Sequence, residues 1–183
     1  IILEKSPSLI KIQKKKLSTT KITWITNLKK IKKNQNIFLA NEFFDSLEIK
    51  QFTKKKRIWF EKFVHLESNK KAHFFDKKLN IKDYENKINF KISKNQNFIE
   101  YSETGINYLR EISRIIKKYS GGILIVDYGY FDNKMKNTLQ AISKHNYSNI
   151  LENIGNSDIT HNINFKLFQK IVKHVGGLKN NLT

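Results

Sequence analysis

Two short stretches limit the fold more than anything else in the chain: Ile37-Phe38-Leu39-Ala40 and, after a two-glycine break, Ile123-Leu124-Ile125-Val126. Each is apolar at every position, so a strand built from it wants cover on both faces, and each is too short for a buried helix. Ile1-Ile2-Leu3 is a third such run, and residues 21–26, KITWIT, are rich in β-branched and aromatic side chains. Helical patterns lie between them. Ser6-Pro7 supplies an N-cap and a first-turn proline ahead of Leu9, Ile10, Gln13 and Leu17. Residues 104–119 place Ile106, Leu109, Ile112, Ile115, Ile116 and Tyr119 on one stripe, and residues 164–175 do the same with Phe165, Phe168, Ile171, Val172 and Val175. Apolar strands alternating with amphipathic helices predict an α/β fold, a mostly parallel open sheet with helices on both faces.

One segment breaks the alternation. Residues 49–76 have strand composition with a turn at Glu67-Ser68-Asn69, which predicts an antiparallel hairpin or meander inserted into the sheet's connections. Residues 77–99 are polar and aperiodic and read as a loop with at most short strands. No internal repeat is present, and 183 residues suit a single core.

Charge and residue usage bound the partners. The chain carries 35 Lys+Arg against 16 Asp+Glu, a net charge of +19, which suggests nucleic acid or an anionic membrane. The lysines, however, are scattered among many Asn and Ile residues, the pattern an AT-rich genome writes. Their densest runs are KKK at 14–16 and KKKR at 54–57, and aromatics do not interleave with them as a stacking surface requires. The compositional reading is preferred, with no specific nucleic-acid partner. Cysteine is absent, so no disulfide or thiolate metal site is expected. His65, His73, His161 and His174 lack ligand spacing, and no metal is expected. No apolar stretch approaches the ~20 residues of a membrane span, so the chain reads as soluble and intracellular. Both ends read as cut, the first inside an apolar run without Met and the last at GGLKNNLT, where a further strand is expected.

In open α/β sheets ligands bind beyond the carboxyl ends of the strands. Acidic groups stand at three such ends: Glu4 after IIL, Asn41-Glu42 after IFLA with Asp45 close behind, and Asp127 after ILIV. Two readings are open. Asn41, Glu42 and Asp45 can be an N-cap and acidic first turn of a helix, worth ~1 kcal/mol, with Glu4 a solvated loop acid. Alternatively, the acids line a ligand site.

ANEFFDSLEIKQF at 40–52, IEYSETGINYLREI at 99–112, GGILIVDYGY at 121–130, TLQAISKH at 138–145 and DITHNINF at 158–165 follow one another in an order that resembles the MidA-like class I S-adenosylmethionine-dependent methyltransferases. LEKSPSLIKIQ at 3–13 fits as that family's second strand and following helix. The mitochondrial members are complex I assembly factors that methylate an arginine of a core subunit. The resemblance implies a Rossmann-like methyltransferase sheet and a single partial domain over 1–183, with insertions at about 49–99 and about 131–160. It implies S-adenosyl-L-methionine as cofactor, with Glu4 accepting from its ribose hydroxyls and Asn41 and Phe43 beside it, Phe44 helping to wall the pocket. Asn41, Glu42 and Asp45 would be catalytic, Asp127 and Tyr128 would flank the acceptor pocket, and Gln140 and His145 would reach it from the second insertion. The family's glycine-rich loop is missing, since the chain contains no G-x-G, so the sequence resembles the central part of such an enzyme.

The implied partner is a protein substrate, a respiratory-chain subunit, in the mitochondrial matrix of a eukaryote or the cytoplasm of a bacterium. Two other classes remain: a non-catalytic assembly factor binding such a subunit, and a basic nucleic-acid-binding module. If the lysine excess is compositional, binding to duplex DNA is weak, without sequence preference, and lost as salt rises to physiological levels. A gel-shift titration showing a salt-resistant, site-specific complex overturns that expectation.

Overall fold

The computed structural model describes residues 1–68, 71–144, 146–152 and 155–176. At the amino end, β1 (Ile2–Leu3) passes through α1 (Pro7–Lys16) to β2 (Trp24–Ile25), which pairs with it in parallel. Ser6 caps α1 as its sequence predicts, its Oγ accepting from Leu9 N at 3.3 Å. The apolar spacing of α1 finds no core, and none of its residues is buried.

The chain then forms β3 (Asn36–Asn41), followed by β4 (Lys50–Lys55), β5 (Ile58–Leu66) and β6 (Ala72–Leu79). Next come α2 (Ile81–Ile88), β7 (Phe98–Tyr101) and α3 (Glu103–Tyr119). Strands β4 to β7 make a four-stranded antiparallel sheet in the order β6-β5-β4-β7. The loop expected over residues 77–99 is instead the end of β6, then α2, then the start of β7. Helix α2 escapes a periodicity search because it is short: only Ile81, Tyr84 and Ile88 face inward, while Asn80 caps it by accepting from Lys82 N at 3.1 Å. Of the predicted turn, Asn69 lies outside the described residues.

Strand β8 (Gly121–Val126) follows α3 and runs parallel to β3, Phe38 opposite Ile123 and Ala40 opposite Ile125. Period-two alternation turns these four inward, where Phe38 and Ile123 meet Ile112 and Ile116 of α3. The other face differs from expectation. Ile37 is 86 % exposed, Leu39 72 %, Leu124 58 % and Val126 50 %, so among the described residues one face of this pair is covered and one is bare.

The remaining elements are β9 (Gly129–Tyr130), β10 (Gln140–Ser143), β11 (Asn146–Ser148), β12 (Asp158–Thr160), β13 (Ile163–Asn164) and α4 (Phe165–Gly176). β10 pairs antiparallel with β11 and β12, and β13 lies parallel to β9. Helix α4 packs on α3. The core they share centres on Phe44, Phe52, Ile99, Leu109, Ile163 and Ile171, each worth about 1.5–3 kcal/mol of burial.

Gly121 opens β8 at φ +120°, where an added Cβ would stand 1.8 Å from the Asn36 carbonyl oxygen. Gly122 has nothing within 4 Å of that position. Gly121→Ala is therefore expected to lower stability by at least the ~1–3 kcal/mol of a strained backbone, and Gly122→Ala to change it little. Paired thermal melts check this, and equal melting temperatures refute it.

Candidate active site

β3 and β8 end side by side, with Asn41 opposite Val126. Glu42 N–H adds one more rung by donating to Val126 O at 2.9 Å, with Glu42 itself in the left-handed conformation at φ 45°. That turn, uncommon for a residue with a Cβ, reverses the chain and sends Phe43 and Phe44 inward. The Asp127 carboxylate fixes the result: Oδ2 accepts from Phe44 N and Oδ1 from Tyr128 N, each at 2.9 Å.

No helix begins at Asn41, which corrects the capping reading. Residues 42–49 form a turn in which Leu47 N donates to Phe44 O at 3.4 Å before β4 starts. The amide a cap would have served is satisfied by Asp127 from a different strand, so Glu42 and Asp45 do not share a helical first turn.

They converge nonetheless. Asp45 is 6 % exposed, and burial, then repulsion from Asp127 and Glu42, raises its carboxyl pKa, with His161 and the Ser46 N–H acting the other way. His161 is 5 % exposed, and its backbone N–H donates to Asp45 O at 3.1 Å. Asp45 Oδ1 and His161 Nε2 are both buried without a hydrogen-bond partner. Such orphans cost roughly 1–3 kcal/mol each and mark sites where something other than packing sets the residue. Beside His161 lies a cavity of about 20 Å³, also lined by Phe44, Ser102, Asn162 and Asn164. It has room for about one water.

The other predicted residues are placed as follows. Glu4 follows β1 half-buried; its Oε1 accepts from Lys5 N at 2.8 Å and Ser6 N at 2.9 Å, and its Oε2 from Gln13 Nε2 at 3.2 Å. Phe43 packs edge-on against Phe44 at 5.1 Å and Tyr108 at 5.2 Å, and Lys5 Nζ sits 5.3 Å from the same Tyr108 ring. Tyr108 thus joins the Glu4 loop to the turn after β3. Tyr128 is exposed, its carbonyl accepting from Ile163 N at 2.8 Å. Gln140 donates to Thr160 Oγ1 at 3.1 Å across the β10–β12 pair, which leads directly to His161. His145 lies outside the described residues.

Sequence reasoning missed two groups. His161 had been set aside for lack of ligand spacing, although it sits within DITHNINF. Glu100, a carboxylate inside the apolar FIEY strand, accepts from Gln51 Nε2 at 2.5 Å and from Thr138 N at 2.9 Å, tying β4 and β7 to the segment before β10. An acid at an otherwise apolar strand position was the available signal. Among the described residues no group of three or more His, Cys, Asp or Glu could hold a metal ion, and no helix is long and apolar enough to cross a membrane.

Residues 1–181 match a family described as "Putative S-adenosyl-L-methionine-dependent methyltransferase". Curated relatives include the mitochondrial protein arginine methyltransferase NDUFAF7 homolog of Caenorhabditis elegans, 28 % identical over 165 residues, covering 88 % of this chain and 39 % of the relative. The mouse and human mitochondrial NDUFAF7 proteins are 25 % and 24 % identical; each alignment covers 83 % of this chain and 34 % of the relative. The chain thus spans between a third and two fifths of these relatives. A Burkholderia thailandensis protein solved with S-adenosyl-homocysteine matches with a TM-score of 0.72 at 15 % identity, over 96 % of this chain and 48 % of that one. A second structure from that organism and superfamily gives a TM-score of 0.73. At this identity the likeness establishes the fold.

A carboxyl whose pKa is raised by folding contributes stability that is complete below its ordinary value and lost as pH rises through the raised one. Asp45 is such a group. Asp45→Asn is expected to melt with the wild type at acid pH and above it near neutrality, where the wild-type carboxyl must ionise in its buried site. A gap that does not change with pH refutes this.

Proposed function

The chain belongs to this family of S-adenosyl-L-methionine-dependent methyltransferases, and from that premise we propose that it forms part of an enzyme transferring a methyl group to a nitrogen of a protein arginine. The observation that carries the reading is the meeting of Glu42, Asp45 and Asp127 beyond the ends of β3 and β8, in a chain with a net charge of +19. So local an excess of anions suits a cationic ligand. The relatives' names as protein arginine methyltransferases support an arginine as that ligand.

A guanidinium keeps its proton, with a pKa above about 12, and its nitrogens are poor nucleophiles while the charge is shared. Two carboxylates can grip it in a fork, fixing one nitrogen toward the methyl donor. Glu42, exposed at the rim, is assigned as the group that meets the guanidinium and takes the departing N–H proton as the N–C bond forms. Asn41 presents the last side chain of β3 beside it. Asp127 sets the rim's shape through its two backbone bonds. Asp45 and His161 lie behind the rim and set its charge.

When bound, S-adenosyl-L-methionine supplies a sulfonium methyl group as electrophile. The residues present fit part of its site. Three donors occupy Glu4, and a carboxylate has about four acceptor positions, so one is left for a ribose hydroxyl. Phe43 and Tyr108 offer an aromatic wall. We place residues 1–183 within one methyltransferase domain carrying insertions at about 49–99 and 131–160. Its substrate is assigned as a respiratory-chain subunit, in the mitochondrial matrix or, for a bacterial source, the cytoplasm.

In the full-length enzyme Glu42→Gln is expected to abolish methyl transfer while leaving cofactor affinity nearly intact, and Asp45→Asn to reduce it less. Melting temperature, cofactor affinity and turnover measured on the same purified variants test this. Wild-type turnover by the Glu42 variant overturns the assignment.

A further inference from the structure

A second concavity, a groove of about 810 Å³, lies where residues 90–97, residues 132–135 and α4 meet. Its size falls in the range of ligand sites. Lys54, Lys91, Lys94, Lys134 and Lys170 line it, against a single acid, Asp132. That acid is turned to Lys136, whose Nζ lies 3.7 Å away. Lys54 stands over the Trp59 ring and Lys134 donates to Asn95 O, while Lys91, Lys94 and Lys170 have no carboxylate partner among the described residues.

The groove is held open by its own bonds. Buried Gln96 donates through Nε2 to Asn133 O at 2.7 Å and accepts from Met135 N at 3.0 Å, pinning one wall to the other. Lys54 N donates to Asn97 O at 2.8 Å and fixes the rim to β4. A site fixed in this way loses little freedom when it is filled. It also adjoins the acidic cluster: Asn164 and Leu167 line both the groove and the small cavity beside His161.

We propose that this groove docks an acidic segment of the polypeptide substrate, seating carboxylates that flank the target arginine while the arginine itself enters the rim at Glu42. The inference rests on the arginine reading above and names its substrate class: an arginine with acidic neighbours in sequence. Adjacent surfaces of opposite charge select for both features and set the register of the peptide. Phe90 is the one aromatic side chain in the lining, too few for stacking a nucleic-acid strand, whereas the amides of Asn95, Asn97 and Asn133 suit a peptide backbone.

The test uses the full-length protein and a fluorescent glutamate-rich decapeptide without arginine, so that docking is read independently of methyl transfer. The triple variant Lys91→Glu/Lys94→Glu/Lys170→Glu is expected to weaken peptide binding about tenfold or more. An equal charge change on α1, Lys11→Glu/Lys15→Glu/Lys16→Glu, is expected to weaken it less than about twofold. Carbodiimide cross-linking of the peptide to the wild type, which needs no variant, should map to the groove lysines. Equal losses in the two variants, or cross-links spread over the surface, overturn the proposal. So does tighter binding of a single-stranded oligonucleotide that depends on the same three lysines. Loss of turnover in Glu42→Gln with peptide binding intact supports both readings, while unchanged turnover there removes the arginine reading and leaves the docking result to stand or fall by itself.

Discussion

The Asp127 carboxylate, accepting from Phe44 on one side and Tyr128 on the other, is the constraint on which the centre of the molecule depends. β3 and β8 are far apart in sequence and share one ladder, and a ladder alone does not decide how the chain leaves it. With its N–H held by Asp127, Phe44 falls into the core and meets Phe168 of α4 at 5.0 Å, while Phe43 turns to Tyr108 of α3. The Tyr128 carbonyl receives Ile163 N and so seats β13 and the helix behind it. One anion therefore aligns two strands, two helices and the acidic rim. With each of its oxygens held by a backbone donor, it is also the member of the cluster least free to change its role.

Much of the fold was legible because burial writes a period into sequence. β3 and β8 are read directly from runs with no polar residue, and α3 and α4 from stripes that persist over several turns. The meander at 49–76 was equally visible. Helix α2 was not, since two turns provide too few inward positions to stand out among lysines and asparagines. The site divided along the same line. Acids at strand ends announce themselves by position, so Glu4, Glu42 and Asp127 stand out in the sequence; the turn that brings Glu42 and Asp45 toward Asp127 reads equally well as a helix start, because Asn-Glu followed by Asp is the same in either conformation. His161 acquires meaning only when folding brings it against Asp45 from more than a hundred positions away, which no spacing rule encodes.

Charge in this protein is zoned although it looks diffuse in the sequence. Lysines are spread along the whole sequence. The few carboxylates are used sparingly and at close range: Glu100 binds the inserted strands to the segment before β10, Glu4 orders the start of α1, and the trio around Asp45 stands at the strand ends. Against so positive a background, each acid that is not consumed by a structural bond becomes a local sink for cations. Electrostatic contrast, more than total charge, distinguishes one part of the surface from another.

The bare face of β3 and β8 gives the lysine excess a physical consequence of its own. Among the described residues nothing covers Ile37, Leu39, Leu124 and Val126, and where such an apolar strip meets water it attracts its own kind at contact range. Two copies approaching through solvent first meet +19 against +19, a repulsion that reaches about 10 Å in 0.1 M salt and about 3 Å in 1 M. A contact made through such a strip is thus a contest between a long-range barrier that electrolytes dissolve and a short-range adhesion that they leave intact. Salt, which loosens most contacts of a basic protein, favours a contact of this kind.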